Sequence, residues 1–381
     1  MKFPVLLAFL FATVGAFAQA PQAPEVAARQ YLLIDLSSQQ VLAERAADTQ
    51  ADPASLTKLM TAYLVFGALQ DKRLSLEQTL PVSQRAWEQR KGDPSLMFID
   101  PTMSPKVDEL LHGMIVQSGN DASVALAEGV AGSVENFVQL MNKQAQAWGL
   151  KNTQFRNVTG MTESGHHSSA RDLATIAGRL IQDFPQYYGY YKVREYTYNK
   201  IRQHNRNLLL TRDASFDGLK TGYTDAAGYC LIASSQREFP NGKRRLLSVV
   251  LGTDSREARA NESQKLHNWG YAAWDGLRLY AKDKPVATVP VWKGKASQVP
   301  LGVAQDVFIT LPRGEGAKLQ SELLRPDPLL APLQAGQAVG SIRIKSAGGS
   351  LLKEVPLVAQ QEVAQANAFV RLWDAIRLWI Q

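Results

Sequence analysis

Ser55-Leu56-Thr57-Lys58-Leu59-Met60-Thr61-Ala62-Tyr63-Leu64-Val65-Phe66-Gly67-Ala68-Leu69-Gln70 opens with a serine and a lysine three positions apart, then runs apolar on nearly every side. A helix that is apolar all round is a buried one. The stretch is therefore expected to be a helix at the centre of a sizeable core. Residues three apart on a helix share a face, so a hydroxyl and an amine could meet at its N-terminus. Burial disfavours an ammonium and lowers a lysine's pKa. A neutral amine can take the serine proton, and the serine oxygen can then attack a carbonyl. Backbone N–H groups at the helix start would favour a developing oxyanion. Alone the pattern is weak. Ser350-Leu351-Leu352-Lys353 repeats it without an assigned role, and Ser55 could equally be an N-cap with Lys58 in solvent.

Outward from that helix, Tyr31 to Asp35 and Gln40 to Ala43 read as two short strands. Val107 to Val116 and Ala122 to Val130 read as helices broken at Ser118-Gly119-Asn120, and Val134 to Trp148 and Arg171 to Gln182 as two more. Cys230 to Ser234 and Leu246 to Leu251 are short apolar runs around a turn containing Asn241-Gly242, a hairpin signal. Glu262 to Tyr280 reads as a last helix. The character changes near Lys282-Asp283-Lys284-Pro285. Beyond it, alternating runs at Ala287 to Trp292, Asp306 to Leu311, Ala338 to Lys345 and Leu351 to Val358 are punctuated by Pro and Gly. The fold expected is α/β of the α+β type. An antiparallel sheet is flanked by helices with a helical subdomain, followed by a small all-β domain and a C-terminal amphipathic helix. The boundaries expected are 1–18, 25–282, 285–360 and 361–381.

Two further patterns carry chemistry. Ser118-Gly119-Asn120 can cap a helix, or add a second hydroxyl for proton relay and an amide to hold a substrate amide. Lys220-Thr221-Gly222 can be a strand end before a turn, or an edge strand presenting a cation and a hydroxyl to an acidic substrate group. Neither Ser-x-Asn nor Lys-Thr-Gly recurs in the chain. Both follow the Ser-Lys pair at wide separations.

In this order and context the three patterns resemble the low-molecular-mass D-alanyl-D-alanine carboxypeptidases of the penicillin-binding protein 5 and 6 group. The segments Leu111 to Ala122, Gly165 to Ala174 and Gly218 to Thr224 look like that family's motif surroundings. The resemblance runs from about Tyr31 to Tyr280. It implies a serine peptidase that removes the terminal D-alanine from peptidoglycan stem peptides and is acylated by β-lactams. It implies Ser55 as nucleophile, Lys58 as general base and Ser118 as proton relay. Asn120 would hold the peptide, and Lys220 would supply positive potential. Thr221, helped by Arg259, would bind the terminal carboxylate. The third motif lends Gly222 and Tyr223, whose backbone N–H would complete an oxyanion hole with that of Ser55. Relatives often carry His where Tyr223 stands. A β-lactamase with Glu163 as its loop glutamate, an endopeptidase on cross-links and a catalytically dead wall-binding scaffold are the alternatives.

Composition narrows the rest. The 381 residues are 45% hydrophobic and 20% charged, with net charge +7, an ordinary folding composition. The mild basic excess suits anionic surroundings. No basic block interleaved with aromatics points to nucleic acid. Cys230 is the only cysteine, which excludes an internal disulfide and a thiolate zinc site. His166-His167 lacks metal-ligand spacing and reads as surface loop. No phosphate-cradling Gly loop occurs, so no metal or cofactor is expected. Lys2, the apolar run Val5 to Phe17 and Ala16-Phe17-Ala18 read as a signal peptide cleaved after Ala18, with a retained membrane helix as the other reading. From Phe369 onward, Phe369, Leu372, Trp373, Ile376, Trp379 and Ile380 gather on one helical side. Asn367, Arg371, Asp374 and Arg377 gather on the other. Such a helix lies on a membrane or docks on the protein's own core. The resemblance favours the membrane, at the periplasmic face of the cytoplasmic membrane.

Overall fold

The computed structural model describes residues 20–91, 95–239, 242–282 and 284–380. The signal segment lies outside them. Two compact units divide the chain, Ala23–Ala272 and a second that holds Ala273–Gln381.

The first unit is built on a five-stranded antiparallel sheet. Strands β1 (Gln30–Asp35) and β2 (Gln40–Arg45) form one edge. A small separate hairpin comprises β3 (Glu195–Tyr198) and β4 (Ile201–His204). Strands β5 (Phe216–Thr224), β6 (Gly228–Phe239) and β7 (Gly242–Thr253) complete the sheet in the order β2-β1-β7-β6-β5. The third motif thus lies on an edge strand. The apolar runs foreseen at the β6–β7 hairpin are the buried centres of two twelve-residue strands. Their polar ends, with Arg237, Lys243 and Arg245, hid the full length.

Helices α1 (Lys58–Gln70), α2 (Gln84–Trp87), α3 (Val107–Val116), α4 (Asn120–Ala131), α5 (Val134–Ala147), α6 (Ala170–Asp183), α7 (Leu209–Arg212) and α8 (Arg256–Ala273) belong to this unit. Ser133 and Ser169 cap α5 and α6 by accepting the N–H groups of Asn136 and Asp172. Leu59, Met60, Ala62, Val65, Phe66, Ala68 and Leu69 of α1 are all buried, in one cluster with side chains of α3 to α6 and the sheet. The reading of a helix buried all round therefore holds. Its first turn differs: Ala54–Thr57 is a 3₁₀ turn that hands over to α-helix at Lys58.

Trp274–Tyr280 was expected to continue the last helix. It is instead strand β8, paired antiparallel with β11 (Val307–Pro312) in the second unit. The units consequently divide ahead of the composition break near residue 282. The remaining strands are β9 (Ala287–Pro290), β10 (Gln298–Gly302), β12 (Gln320–Leu324), β13 (Ala338–Lys345) and β14 (Leu351–Ala359), in a sheet of order β12-β13-β14-β10-β9. Val299, Leu301, Ile342, Ile344 and Leu357 fill its core.

Helix α9 (Ala368–Ile380) ends the described chain, and none of its residues is buried. Phe369 is 86% exposed and Trp379 87%. Its polar side meets the β unit: Lys293 N donates to Asp374 Oδ2 at 2.7 Å, and the Arg377 guanidinium lies 5.1 Å from the Trp292 ring centre. The apolar side chains face away from any core, which rules out docking through them.

Candidate active site

Ser55 sits in the 3₁₀ turn that precedes α1. Residues i and i+3 eclipse in such a turn, and this brings the Ser55 hydroxyl over the Lys58 side chain. Lys58 Nζ donates to Ser55 Oγ at 3.0 Å, to Asn120 Oδ1 at 2.8 Å and to the Thr159 carbonyl at 2.6 Å. The amine is almost wholly buried. Burial first, and the nearby Arg206 second, push its pKa down to about 7, while Asp121 works the other way.

Glycine is required where the loop passes beneath this turn. Gly160 has φ +85°, and a Cβ on it would come within 1.7 Å of the Ala54 carbonyl oxygen. The same loop is stiffened by Asn157, whose Oδ1 accepts the N–H groups of Thr159 and Gly160. Thr159 is thereby held with its carbonyl on Lys58. Thr57 completes the support. Its Oγ1 lies 2.8 Å from His166 Nε2, and His166 Nδ1 accepts the Arg156 N–H at 3.0 Å. Since Nδ1 accepts, Nε2 carries the proton and donates to Thr57. Burial drives the His166 pKa down to about 4, so the ring is neutral. The expectation of a surface His166-His167 loop is therefore corrected: His166 is buried against the turn that carries Ser55.

The second motif enters from the α3–α4 junction. Asn120 opens α4 rather than lying in the break, and its backbone N–H donates to the Ser95 carbonyl at 2.8 Å. Asp121 is buried, and its carboxylate accepts the N–H groups of Met97 at 2.9 Å, Phe98 at 2.8 Å and Ile99 at 3.2 Å. It thus staples the 97–99 loop to the motif. Ser118 is buried at φ +68°, an uncommon conformation for a side-chain-bearing residue. Its Oγ has no hydrogen-bond partner among the described residues. Backbone strain and an unsatisfied buried hydroxyl thus coincide at this candidate position.

The third motif lies on β5. Gly222 allows the strand to approach the nucleophile turn: a Cβ there would stand 3.1 Å from Ala54 Cβ and 3.3 Å from Ser55 N. Lys220 is buried and donates to the Thr221 carbonyl at 3.0 Å. Burial holds its pKa well below the ordinary value, with Lys58, Arg206 and Arg259 adding repulsion. Thr221 is buried beside it. Arg259, on the first turn of α8, is buried and donates to the Gly222 carbonyl at 3.0 Å. Burial lowers its pKa to about 10. Behind the strand, Asp217 takes both guanidinium arms of Arg245 at 2.7 and 2.8 Å, a bidentate pair that fixes the start of β5.

Hydrogen bonds thus join Ser55, Lys58 and Asn120. Gly222 abuts the same turn, Arg259 bonds to Gly222, and Lys220 repels Lys58 through space. Ser118 is two residues from Asn120 but bonds to none of the others. Sequence reasoning missed Thr159, His166 and Arg206. The Arg206 Nη1 donates to Ser95 Oγ at 2.7 Å. Asn157-Val158-Thr159-Gly160, an Asn and a Gly in turn spacing, was the one available signal. Glu163 is exposed and accepts from Asn157 Nδ2 at 3.0 Å. Ser350 and Lys353, the decoy pair, have no such geometry: Lys353 Nζ donates to the Phe308 carbonyl. No group of three or more metal-ligating side chains gathers among the described residues.

A cluster of cations around an amine-bonded serine suits acyl transfer on an anionic substrate, and known proteins agree. A family described as D-alanyl-D-alanine carboxypeptidase matches residues 17–255, and one described as penicillin-binding protein 5, C-terminal domain, matches residues 274–365. D-alanyl-D-alanine carboxypeptidase DacA of Escherichia coli K12 is 42% identical over 365 residues, covering 94% of this chain and 89% of the relative. The crystal structure of penicillin binding protein 5 from Haemophilus influenzae superposes with TM-score 0.83 at 37% identity, covering 90% of this chain and 99% of that one. Penicillin-binding protein D2 from Listeria monocytogenes, solved in its ampicillin-bound form, matches with TM-score 0.58 at 29% identity over 66% of this chain and 99% of that one. The chain belongs to the D-alanyl-D-alanine carboxypeptidase family, in its penicillin-binding protein 5 type.

Proposed function

We propose that the chain removes the terminal D-alanine from peptidoglycan stem peptides through an acyl-enzyme on Ser55. The observation that carries this reading is the buried Lys58 amine, 3.0 Å from Ser55 Oγ and pushed toward its neutral form at pH 7.

In the first step Ser55 Oγ attacks the carbonyl of the penultimate D-alanine and its proton passes to Lys58 Nζ. The oxyanion meets the backbone N–H groups of Ser55 and Tyr223. The amide C–N bond breaks as Ser118 hands a proton to the departing amine and takes one in turn from Lys58, leaving an ester on Ser55 and a neutral Lys58. Water then attacks the ester, the serine regains its proton, and the shortened peptide leaves. Asn120 Oδ1 is committed to Lys58, so its amide Nδ2 is the group that meets the peptide. Thr221 Oγ1 and Arg259 take the terminal carboxylate. Burial, with Lys58, Arg206 and Arg259 nearby, disfavours the charged form of Lys220. An arriving carboxylate supplies the missing countercharge, and Lys220 then carries positive potential. β-Lactams acylate Ser55 as substrate mimics, in keeping with the ampicillin-bound Listeria protein.

The protein works outside the cytoplasm, after loss of the 1–18 signal segment, with 25–282 as the catalytic region. The all-β region, 285–360, carries the 361–381 anchor, whose helix α9 lies on the periplasmic face of the cytoplasmic membrane. No described helix is long and apolar enough to cross a membrane.

Product analysis tests the reading. A soluble peptide ending in D-Ala-D-Ala and a cross-linked dimer are each incubated with the protein. Free D-alanine from the first, with the dimer intact, is expected. Cleavage of the dimer alone would establish an endopeptidase, and no D-alanine from either would overturn the proposal.

A further inference from the structure

An aromatic pair stands at the outer end of β5, next to Arg259. Tyr223 follows Gly222 and lies directly across the ladder from Tyr229. Their ring centres are 4.3 Å apart, tilted by 33°. Tyr223 Oη donates to Asp225 Oδ1 at 2.8 Å, so the ring is held at both ends although it is 49% exposed. The Arg259 guanidinium, bonded to the Gly222 carbonyl, lies 5.7 Å from the Tyr229 ring centre. Side chains alternate along a strand, so Thr221 and Tyr223 share a face. Hydroxyl, guanidinium and pinned ring therefore follow one another along one end of the strand.

We infer that the Tyr223 side chain is a specificity wall for the C-terminal residue of the substrate, admitting a methyl group and excluding larger side chains. The inference rests on the carboxypeptidase reading above. With the terminal carboxylate on Thr221 and Arg259, the α-substituent of the same residue is left facing the neighbouring position on that face, which is Tyr223. The ring cannot swing aside without losing both the Asp225 bond and the Tyr229 stack. A bound side chain and a pinned ring cannot share that space, and steric discrimination of this kind is worth roughly 10- to 200-fold. This side-chain role is separate from that of the Tyr223 backbone N–H, which any residue supplies.

The test measures kcat/KM on two soluble peptides, one ending in D-Ala-D-Ala and one in D-Ala-D-Leu. Penicillin acylation is followed alongside as a sign that the site is assembled. The wild type is expected to favour the first peptide. Tyr223→Ala is expected to raise the D-Leu to D-Ala ratio by about tenfold, whatever the absolute rates become. Asp225→Ala leaves the ring in place but frees its hydroxyl, and is expected to raise the ratio by a smaller factor, about threefold. Equal rates of the wild type on both peptides would overturn the inference. So would parallel losses on both peptides in variants that still react with penicillin, since a merely structural ring moves both together. Should Tyr223→Ala fail to react with penicillin, the Asp225→Ala ratio decides. A wild type that releases nothing from either peptide would instead sink the carboxypeptidase reading itself.

Discussion

Two helices of thirteen residues each, α1 and α9, treat their surroundings in opposite ways. Helix α1 takes a charge-capable side chain out of water and gives its amine only neutral hydrogen-bond partners. Helix α9 holds Asp374 and Arg377 against the β unit and turns seven large apolar side chains to solvent. Both arrangements are costly in isolation. Burying an ammonium is so unfavourable that the group neutralises. Leaving seven such side chains in water forgoes on the order of 10 kcal/mol. Under the proposed mechanism the first cost becomes chemistry, because a neutral amine next to Ser55 can act as its base. The second is removed only by something outside the chain, and the proposed lipid surface would supply it. In both places an unfavourable local choice coincides with a proposed function.

The comparison breaks most sharply at the nucleophile. Ser55→Ala is expected to lower D-alanine release by about 10³-fold or more, measured on a soluble peptide, with membrane recovery unchanged. Activity above that level would move the nucleophile elsewhere. At the other pole, deletion of residues 369–381 is expected to shift the protein from the membrane to the soluble fraction by at least about 10³ in partition. Activity on soluble peptides should survive. Unchanged recovery on vesicles would remove α9 from membrane binding.

Arg259→Ala sharpens the catalytic side. A lost charged hydrogen bond is worth about 1.5–3 kcal/mol, so a loss of about 10- to 100-fold in kcat/KM is expected for peptides with free C-termini. Amidated peptides should lose far less, and equal losses would remove Arg259 from carboxylate binding. A further effect is expected on stability. Gly160→Ala forces a side chain toward the Ala54 carbonyl at a left-handed φ and should cost about 3 kcal/mol in chemical denaturation. A wild-type midpoint would contradict the close packing beneath Ser55.

Much of this was legible in the sequence. The helix from Lys58 was visible because apolar residues on every side leave no alternative to burial. Strand β13 begins and ends where its alternation does, at Ala338 and Lys345. The three motifs were legible because side-chain types at fixed spacing carry them. What was hidden depends on partners distant in sequence. Trp274–Tyr280 becomes a strand only because Val307–Pro312 pairs with it. His166 looks like any loop histidine until Thr57 and Arg156 close on its two nitrogens. Thr159 contributes a carbonyl, which every residue has. Arg206 acts by position, and nothing local announces where a β-hairpin will deliver it.

The second-order rate of acylation by a penicillin, followed from pH 5 to pH 9, tests the buried amine most directly. Lys58 must be deprotonated to accept the serine proton, and burial brings its pKa down to about 7. The rate should therefore climb about tenfold per pH unit below 7 and level off above it. A climb that continues unbroken to pH 9 would mean that Lys58 keeps an ordinary ammonium at neutral pH, and would contradict a neutral lysine beside Ser55.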